Sequence, residues 1–171
     1  IADLEADLEL KIEEVDLPAM LRETRAQLAD ALSDRGLQLH ENTGTGLTLR
    51  ADARLLQRAL LCIMRNACDY NRPGGEIRIS AEREANMVRI TVGDSGTGIA
   101  LEHLEKIFDR FYRVDTSTNY AVSGVGLGLF LARRIVELHS GSITARSAGP
   151  GSGSEFTVLI PAISSLQIRP E

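Results

Sequence analysis

Between Ser123 and His139 the chain reads Ser-Gly-Val-Gly-Leu-Gly-Leu-Phe-Leu-Ala-Arg-Arg-Ile-Val-Glu-Leu-His, so Gly124, Gly126 and Gly128 close a loop where a helix begins. Alternating glycines let backbone amides crowd an anion without a Cβ in the way, and a helix start adds the positive end of its dipole. A phosphate suits such a junction. The same spacing also serves as a hinge or as close helix packing. Two better-known phosphate loops do not account for it: GxGxxG needs a glycine where Leu129 stands, and GxxxxGK[ST] occurs nowhere.

The rest of the chain alternates helix and strand signals around that junction. Asp16-Leu-Pro18 reads as a helix start, and Leu21, Leu28, Ala31 and Leu32 carry one apolar face to Arg35-Gly36. Leu37-Gln-Leu39 and Leu47-Thr-Leu49 are short strands around the turn-rich segment 41–46. Asp52 caps a densely apolar helix reaching about Tyr70, ended by Asn71-Arg-Pro-Gly-Gly75. Ile77 and Ile79, then Val88, Ile90 and Val92, recur with period two on either side of Glu84-Ala-Asn86, which predicts an antiparallel hairpin with one apolar face. Short helical pieces span Leu101 to Arg113, and two final strands, Ser142 to Ser147 and Glu155 to Ile160, flank a glycine-rich turn. This order predicts an α+β fold: a two-layer α/β sandwich whose mixed, mostly antiparallel sheet carries its helices on one face.

Composition narrows the class further. With 171 residues, 43% of them hydrophobic, the chain can bury one good core and is short for two domains. The net charge of −5 comes largely from the first 17 residues, where seven carboxylates face only Lys11, so the body is near neutral. No basic face argues for nucleic acid, and the longest uncharged apolar run, Ala59 to Met64, is too short to span a bilayer. Cys62 and Cys68 lack zinc or CxxC spacing and read as small core residues of a reducing, cytoplasmic setting. A chain opening at Ile1 reads as an excised piece.

Five clusters then fall in order: Asn66-Ala67 late on the second helix, Asp94-Ser-Gly-Thr-Gly98-Ile99 at a strand end, Ile107-Phe-Asp-Arg-Phe-Tyr-Arg113, the three glycines, and Gly151-Ser-Gly-Ser-Glu-Phe156. In order and spacing they resemble the asparagine, first glycine, phenylalanine, second glycine and final glycine motifs of the catalytic and ATP-binding domain of sensor histidine kinases. That family belongs to the superfamily of gyrase, the ninety-kilodalton chaperones and MutL. The resemblance implies the Bergerat ATP-binding fold over residues 17–161, with 1–16 as the end of a dimerisation helix and linker and 162–171 as a tail. Leu4, Leu8 and Ile12 at helical spacing fit that helix.

For the site, the resemblance implies that Asp94 accepts a hydrogen bond from the exocyclic amine of adenine, while Gly96 and Gly98 pass beneath the base and Ile99 walls the pocket. Asn66 would hold Mg²⁺ between the phosphates, and Arg113 would stand near the terminal phosphate. These two would be the catalytic groups. Tyr70 and Tyr112 would pack by the nucleotide. Gly124, Gly126 and Gly128, with Leu127 between them, would close a mobile ATP lid running from Tyr112 to Ser123. The implied activity is that of a protein-histidine kinase using ATP and Mg²⁺. Its γ-phosphoryl group would pass to a histidine on the dimerisation domain of the same protein and then to the receiver domain of a response regulator.

None of His40, His103 and His139 has the acidic neighbour and nearby proline of that phosphoacceptor histidine. The acceptor therefore belongs to a separate domain, through which alone the protein would form a homodimer. The domain itself would touch neither nucleic acid nor membrane, whether free in the cytoplasm or the cytoplasmic part of an anchored sensor. A non-catalytic regulatory module of the same fold, an ATPase clamp or an anti-sigma serine kinase are the alternatives. Three positions depart from the family pattern: Cys62 stands for a common second asparagine, Asp69 for a common basic residue, and Val125 for a common threonine. Together they remove a metal ligand, a positive charge and a hydroxyl.

Overall fold

The structure, a computed structural model, describes residues 9–114 and 125–162. Strand β1 (Ile12–Asp16) leads into helices α1 (Leu17–Gln27) and α2 (Ala29–Asp34), then strands β2 (Gln38–Thr43) and β3 (Thr48–Asp52). The long helix α3 (Ala53–Asp69) precedes the hairpin β4 (Glu76–Glu84) and β5 (Met87–Asp94). Two 3₁₀ turns, Leu101–His103 and Lys106–Phe108, come before helix α4 (Gly128–Leu138) and the closing strands β6 (Ser142–Arg146) and β7 (Ser154–Pro161).

Five strands form one sheet in the order β2-β4-β5-β7-β6, in which only the β2–β4 pair is parallel. Register follows the alternation in the sequence: Ile79 lies opposite Val92 and Ala81 opposite Ile90, while Val92 and Ile90 face Phe156 and Val158 on the other side. All of these are buried, whereas Arg78, Ser80 and Glu82 between them are exposed. Helix α3 covers the apolar face with Leu56, Leu60, Ile63 and Met64, each fully buried, and α4 packs beside it through Ala132, Ile135 and Val136. Burying one such large side chain stabilises the fold by about 1.5–3 kcal/mol. The expected α+β sandwich with a mostly antiparallel sheet is the observed one.

Two local expectations are corrected. Residues Ile12–Asp16 are not helical: they pair antiparallel with β3, Val15 against Leu49, and both side chains are buried. Helical spacing ending at Ile12 loses to a strand partner far downstream that burial of Val15 rewards. Residues 1–8, with Leu4 and Leu8, lie outside the described residues. The helix expected from Asp16 to Arg35 is broken at Leu28, whose N–H reaches the carbonyl of Arg25 at 3.0 Å in a tighter turn and whose side chain drops into the core. The segments 37–39 and 47–49 do not pair with each other, since β2 joins the main sheet and β3 joins β1.

Helix α3 starts where Asp52 stops the strand. Its Oδ1 accepts from the Leu55 N–H at 3.0 Å, and its Oδ2 accepts from the Lys11 N–H at 3.1 Å. The Asp52 N–H in turn donates to Nε2 of buried His139 at 3.0 Å, which leaves the ring proton on Nδ1 to donate to the carbonyl of Ile135 at 2.8 Å. One histidine thus ties the start of α3 to the end of α4, the two helices that flank the cavity described below. Asp52→Ala is expected to cost about 1–2 kcal/mol, the loss of an N-cap. Urea denaturation checks this as a lowered midpoint at unchanged m.

Candidate nucleotide site

Asp94 is the last residue of β5, in register with Ile77 on one side and Ser154 on the other. Its Oδ1 accepts from the Gly96 N–H at 2.8 Å and its Oδ2 from the Ser154 hydroxyl at 2.5 Å. Burial pushes its pKa above the ordinary carboxylate value, and the bonds from Ser154 and Gly96 partly pull it back. The result is an oriented acceptor-only group with lone pairs to spare for a donor in front of it.

The glycines after Asp94 make room for a second strand of backbone. A Cβ on Gly96 would run into the carbonyl of Tyr70, and one on Gly98, at φ +70°, into the carbonyl of Gly149. Across these close approaches run the Thr97 N–H to the Tyr70 carbonyl at 2.9 Å, the Gly151 N–H to the Thr97 carbonyl at 2.6 Å and the Gly153 N–H to the Gly96 carbonyl at 3.1 Å. The Ile99 N–H adds a bond to Ser147 Oγ at 3.0 Å. The loop is stapled to the end of α3 and to the turn before β7, so Asp94 sits on a rigid platform.

Beside that platform opens a cavity of about 470 Å³ between α3, the loop after β5 and the start of α4. Of the residues singled out in the sequence, Asn66, Tyr70, Asp94, Gly98, Ile99, Tyr112, Arg113, Gly126, Leu127 and Gly128 all line it. Gly96 does not, lying against the Tyr70 carbonyl, where its place is to let the chain pass. Gly124 and segment 115–124, most of the expected lid, lie outside the described residues. Cys62, Asp69 and Val125 line the same cavity.

The cavity lining combines apolar and polar groups. Its apolar lining comes from Leu61, Ile99, Ile107, Leu129 and Phe156. Its polar lining includes Asn66, Arg65 and Arg113 beside Asp94, and α4 starts at Leu127-Gly128 with no side chain capping it, unlike α1 and α3 with Asp16 and Asp52. Uncapped first-turn amides suit an anion. Gly126, at φ +72°, presses against the backbone of Phe111 and Tyr112, and its carbonyl accepts from the Phe111 N–H at 2.9 Å, fixing where α4 begins. The Tyr112 hydroxyl is held by Nδ1 of His103 at 2.6 Å.

Asn66 offers an amide oxygen that makes no hydrogen bond among the described residues, a suitable hard donor for Mg²⁺. No group of three or more His, Cys, Asp and Glu side chains converges among the described residues, so a cation here has few protein ligands. Burial raises the Cys62 thiol and drives that of Cys68 up to about 11, which keeps both neutral; Cys68 is the core residue expected, whereas Cys62 is half-buried and lines the cavity.

Sequence reasoning missed Ser154, Thr97, Ile107 and Phe156 as lining residues. A signal for Ser154 existed: it follows Gly151-Ser-Gly153 at the first position of a strand, beside the residue register that ends at Asp94.

Comparison with known proteins agrees with this geometry. Residues 51–164 match the family of histidine kinase-, DNA gyrase B- and HSP90-like ATPases. The chain is 33% identical over 162 residues to the sensor protein SrrB of Staphylococcus aureus, which covers 94% of this chain but only 28% of SrrB. The nucleotide-free catalytic domain of the histidine kinase ThkA superposes with a TM-score of 0.79 at 26% identity, covering 90% of this chain and 99% of that domain. Full-length ShkA in complex with AMPPNP gives 0.83 at 26% identity over 96% of this chain and 34% of ShkA. ThkA in complex with the response regulator protein TrrA gives 0.76 at 26% identity over 94% of this chain and 44% of that one. With the five motifs meeting at one cavity, the chain belongs to the histidine kinase-, DNA gyrase B- and HSP90-like ATPase family, and it is similar to the catalytic domains of sensor histidine kinases.

Proposed function

We propose that this chain binds ATP with adenine against Asp94 and the phosphates toward α4, and delivers the γ-phosphoryl group to a histidine on the dimerisation domain of the same protein. The observation that carries this reading is a single cavity lined both by Asp94, a half-buried and oriented acceptor, and by Asn66, Arg113 and the uncapped start of α4. Residues 17–161 form the catalytic body, with β1 annealed to it. Asn66 holds Mg²⁺, which when bound neutralises phosphate charge and orients the polyphosphate. Arg113 places a fixed positive charge beside the transferring group, and Tyr70 and Tyr112 pack against the nucleoside. Catalysis here is positioning and charge neutralisation, because phosphoryl transfer asks little covalent chemistry of the protein.

The phosphohistidine then serves an aspartate on a response regulator receiver domain, a reading supported by the ThkA–TrrA complex. Among the described residues no helix is long and apolar enough to cross a membrane. The domain acts in the cytoplasm and pairs only through its dimerisation partner. Supplying the histidine-bearing dimerisation domain in trans with γ-labelled ATP tests this. Acid-labile label on that domain, lost with Asn66→Ala, is expected; label that stays on ATP or appears only as free phosphate contradicts it.

A further inference from the structure

The last two turns of α3 present Asn66 and Asp69 to the same cavity. Three residues apart on a helix, they lie one above the other, about 5–6 Å between Cβ atoms. Both are half-buried, and neither side chain makes a hydrogen bond or an ion pair among the described residues. Arg65 and Arg35 act on Asp69 electrostatically, yet neither approaches it within ion-pair distance. One turn before Asn66 stands Cys62, whose neutral thiol is a poor partner for a hard cation.

A carboxylate in this place has a definite electrostatic consequence. Facing the polyphosphate end of a nucleotide, Asp69 repels it, because like charges a few ångströms apart in a partly desolvated cavity oppose each other strongly. Put a divalent cation between them and the sign reverses: Asn66 and Asp69 then supply two hard oxygens, directly or through coordinated water, as magnesium prefers. Resting on the nucleotide-site reading above, we propose that Asp69 joins Asn66 as a second ligand of the divalent cation and makes ATP binding by this chain strongly cation-dependent. The carboxylate acts as a gate against metal-free ATP, and restores the ligand that Cys62 cannot supply.

Calorimetric titrations of the intact chain, of Asp69→Asn and of Asp69→Lys, with ATP and with adenosine, each in excess magnesium or in EDTA, test the proposal. Removing magnesium is expected to weaken ATP binding to the native chain about 100-fold, and to Asp69→Asn about tenfold, the difference being one charge at that distance. Asp69→Lys is expected to bind ATP in EDTA more tightly than the native chain does. Adenosine carries no phosphate, so its affinity should be the same for all three proteins under both conditions.

Mn²⁺ as a paramagnetic probe gives a readout apart from affinity: its spectrum in the ATP complex should change with Asp69→Asn. Thermal denaturation of each variant near the native midpoint shows that the fold is intact, as expected for a half-exposed side chain. Native ATP affinity that is equal with and without magnesium, or full magnesium dependence retained by Asp69→Asn, overturns the proposal while adenosine binding leaves the nucleotide site standing. Failure of both ATP and adenosine to bind removes the site and the proposal together.

Discussion

Asp94→Asn is expected to lower ATP affinity about 100-fold, the cost of losing a hydrogen bond to a charged acceptor, with little change in stability. The amide is nearly isosteric. Its oxygen can keep the Gly96 N–H, and its nitrogen can donate to Ser154 Oγ, which accepts as readily as it donates. What the variant cannot do is accept from an adenine amine on the side now occupied by NH₂. Calorimetric titration reads the affinity, and an unchanged denaturation midpoint shows that the platform survives.

Acid should imitate that variant. Burial raises the Asp94 pKa, so its proton is taken up at a pH above that of an ordinary aspartate, about 3.9. Protonation replaces the charged acceptor by a weaker neutral one that also carries an O–H donor, and ATP affinity falls as pH falls through that raised value. The effect on stability has the opposite sign: a folded state that binds the proton more tightly than the unfolded chain gains stability from this group in acid. The titration of this group therefore weakens binding in acid without itself driving unfolding, and Asp94→Asn should lack that limb of the pH profile.

Gly98→Ala is expected to destabilise the domain by about 3 kcal/mol or more, combining left-handed backbone cost with forced overpacking. At φ +70° any side chain is strained, and here its Cβ also meets the Gly149 carbonyl on the turn that holds Gly151 to Thr97. Gly46 separates the two causes. It has a similar φ of +71° but open space around it, so Gly46→Ala should cost only about 1–2 kcal/mol. Equal losses at the two positions in urea denaturation would show that the close approach at Gly98 has no energetic weight.

Much of this architecture was legible in the chain because its signals are local. Asp52 before an apolar run, period-two alternation on either side of Glu84-Ala-Asn86, and glycines where the backbone turns to positive φ each specify structure within a few residues. The cavity was legible because its motifs are short and ordered, although their convergence was implied by resemblance rather than by spacing. Features that depend on distant partners were not. Strand β1 exists because β3 lies ready to pair with it, and the β2–β4 parallel contact joins segments that no hairpin signal connects. Ser154 gains its place from register with Asp94 across two strands, and His139 from the N–H of Asp52, 87 residues away. Phe111 stands at φ +65° with its N–H bonded to the carbonyl of Gly126, a conformation that nothing in its own sequence neighbourhood requires.

The most direct test is a titration of ATP against ITP, in magnesium, on the native chain. The two nucleotides share ribose and triphosphate and differ at the group that Asp94 would meet, an amine in one and a carbonyl oxygen in the other. ATP should bind saturably and ITP about 100-fold more weakly, since the carbonyl faces a carboxylate with no donor between them. Equal affinities for the two, or no saturable ATP binding, would contradict the assignment of Asp94 and of the cavity it anchors.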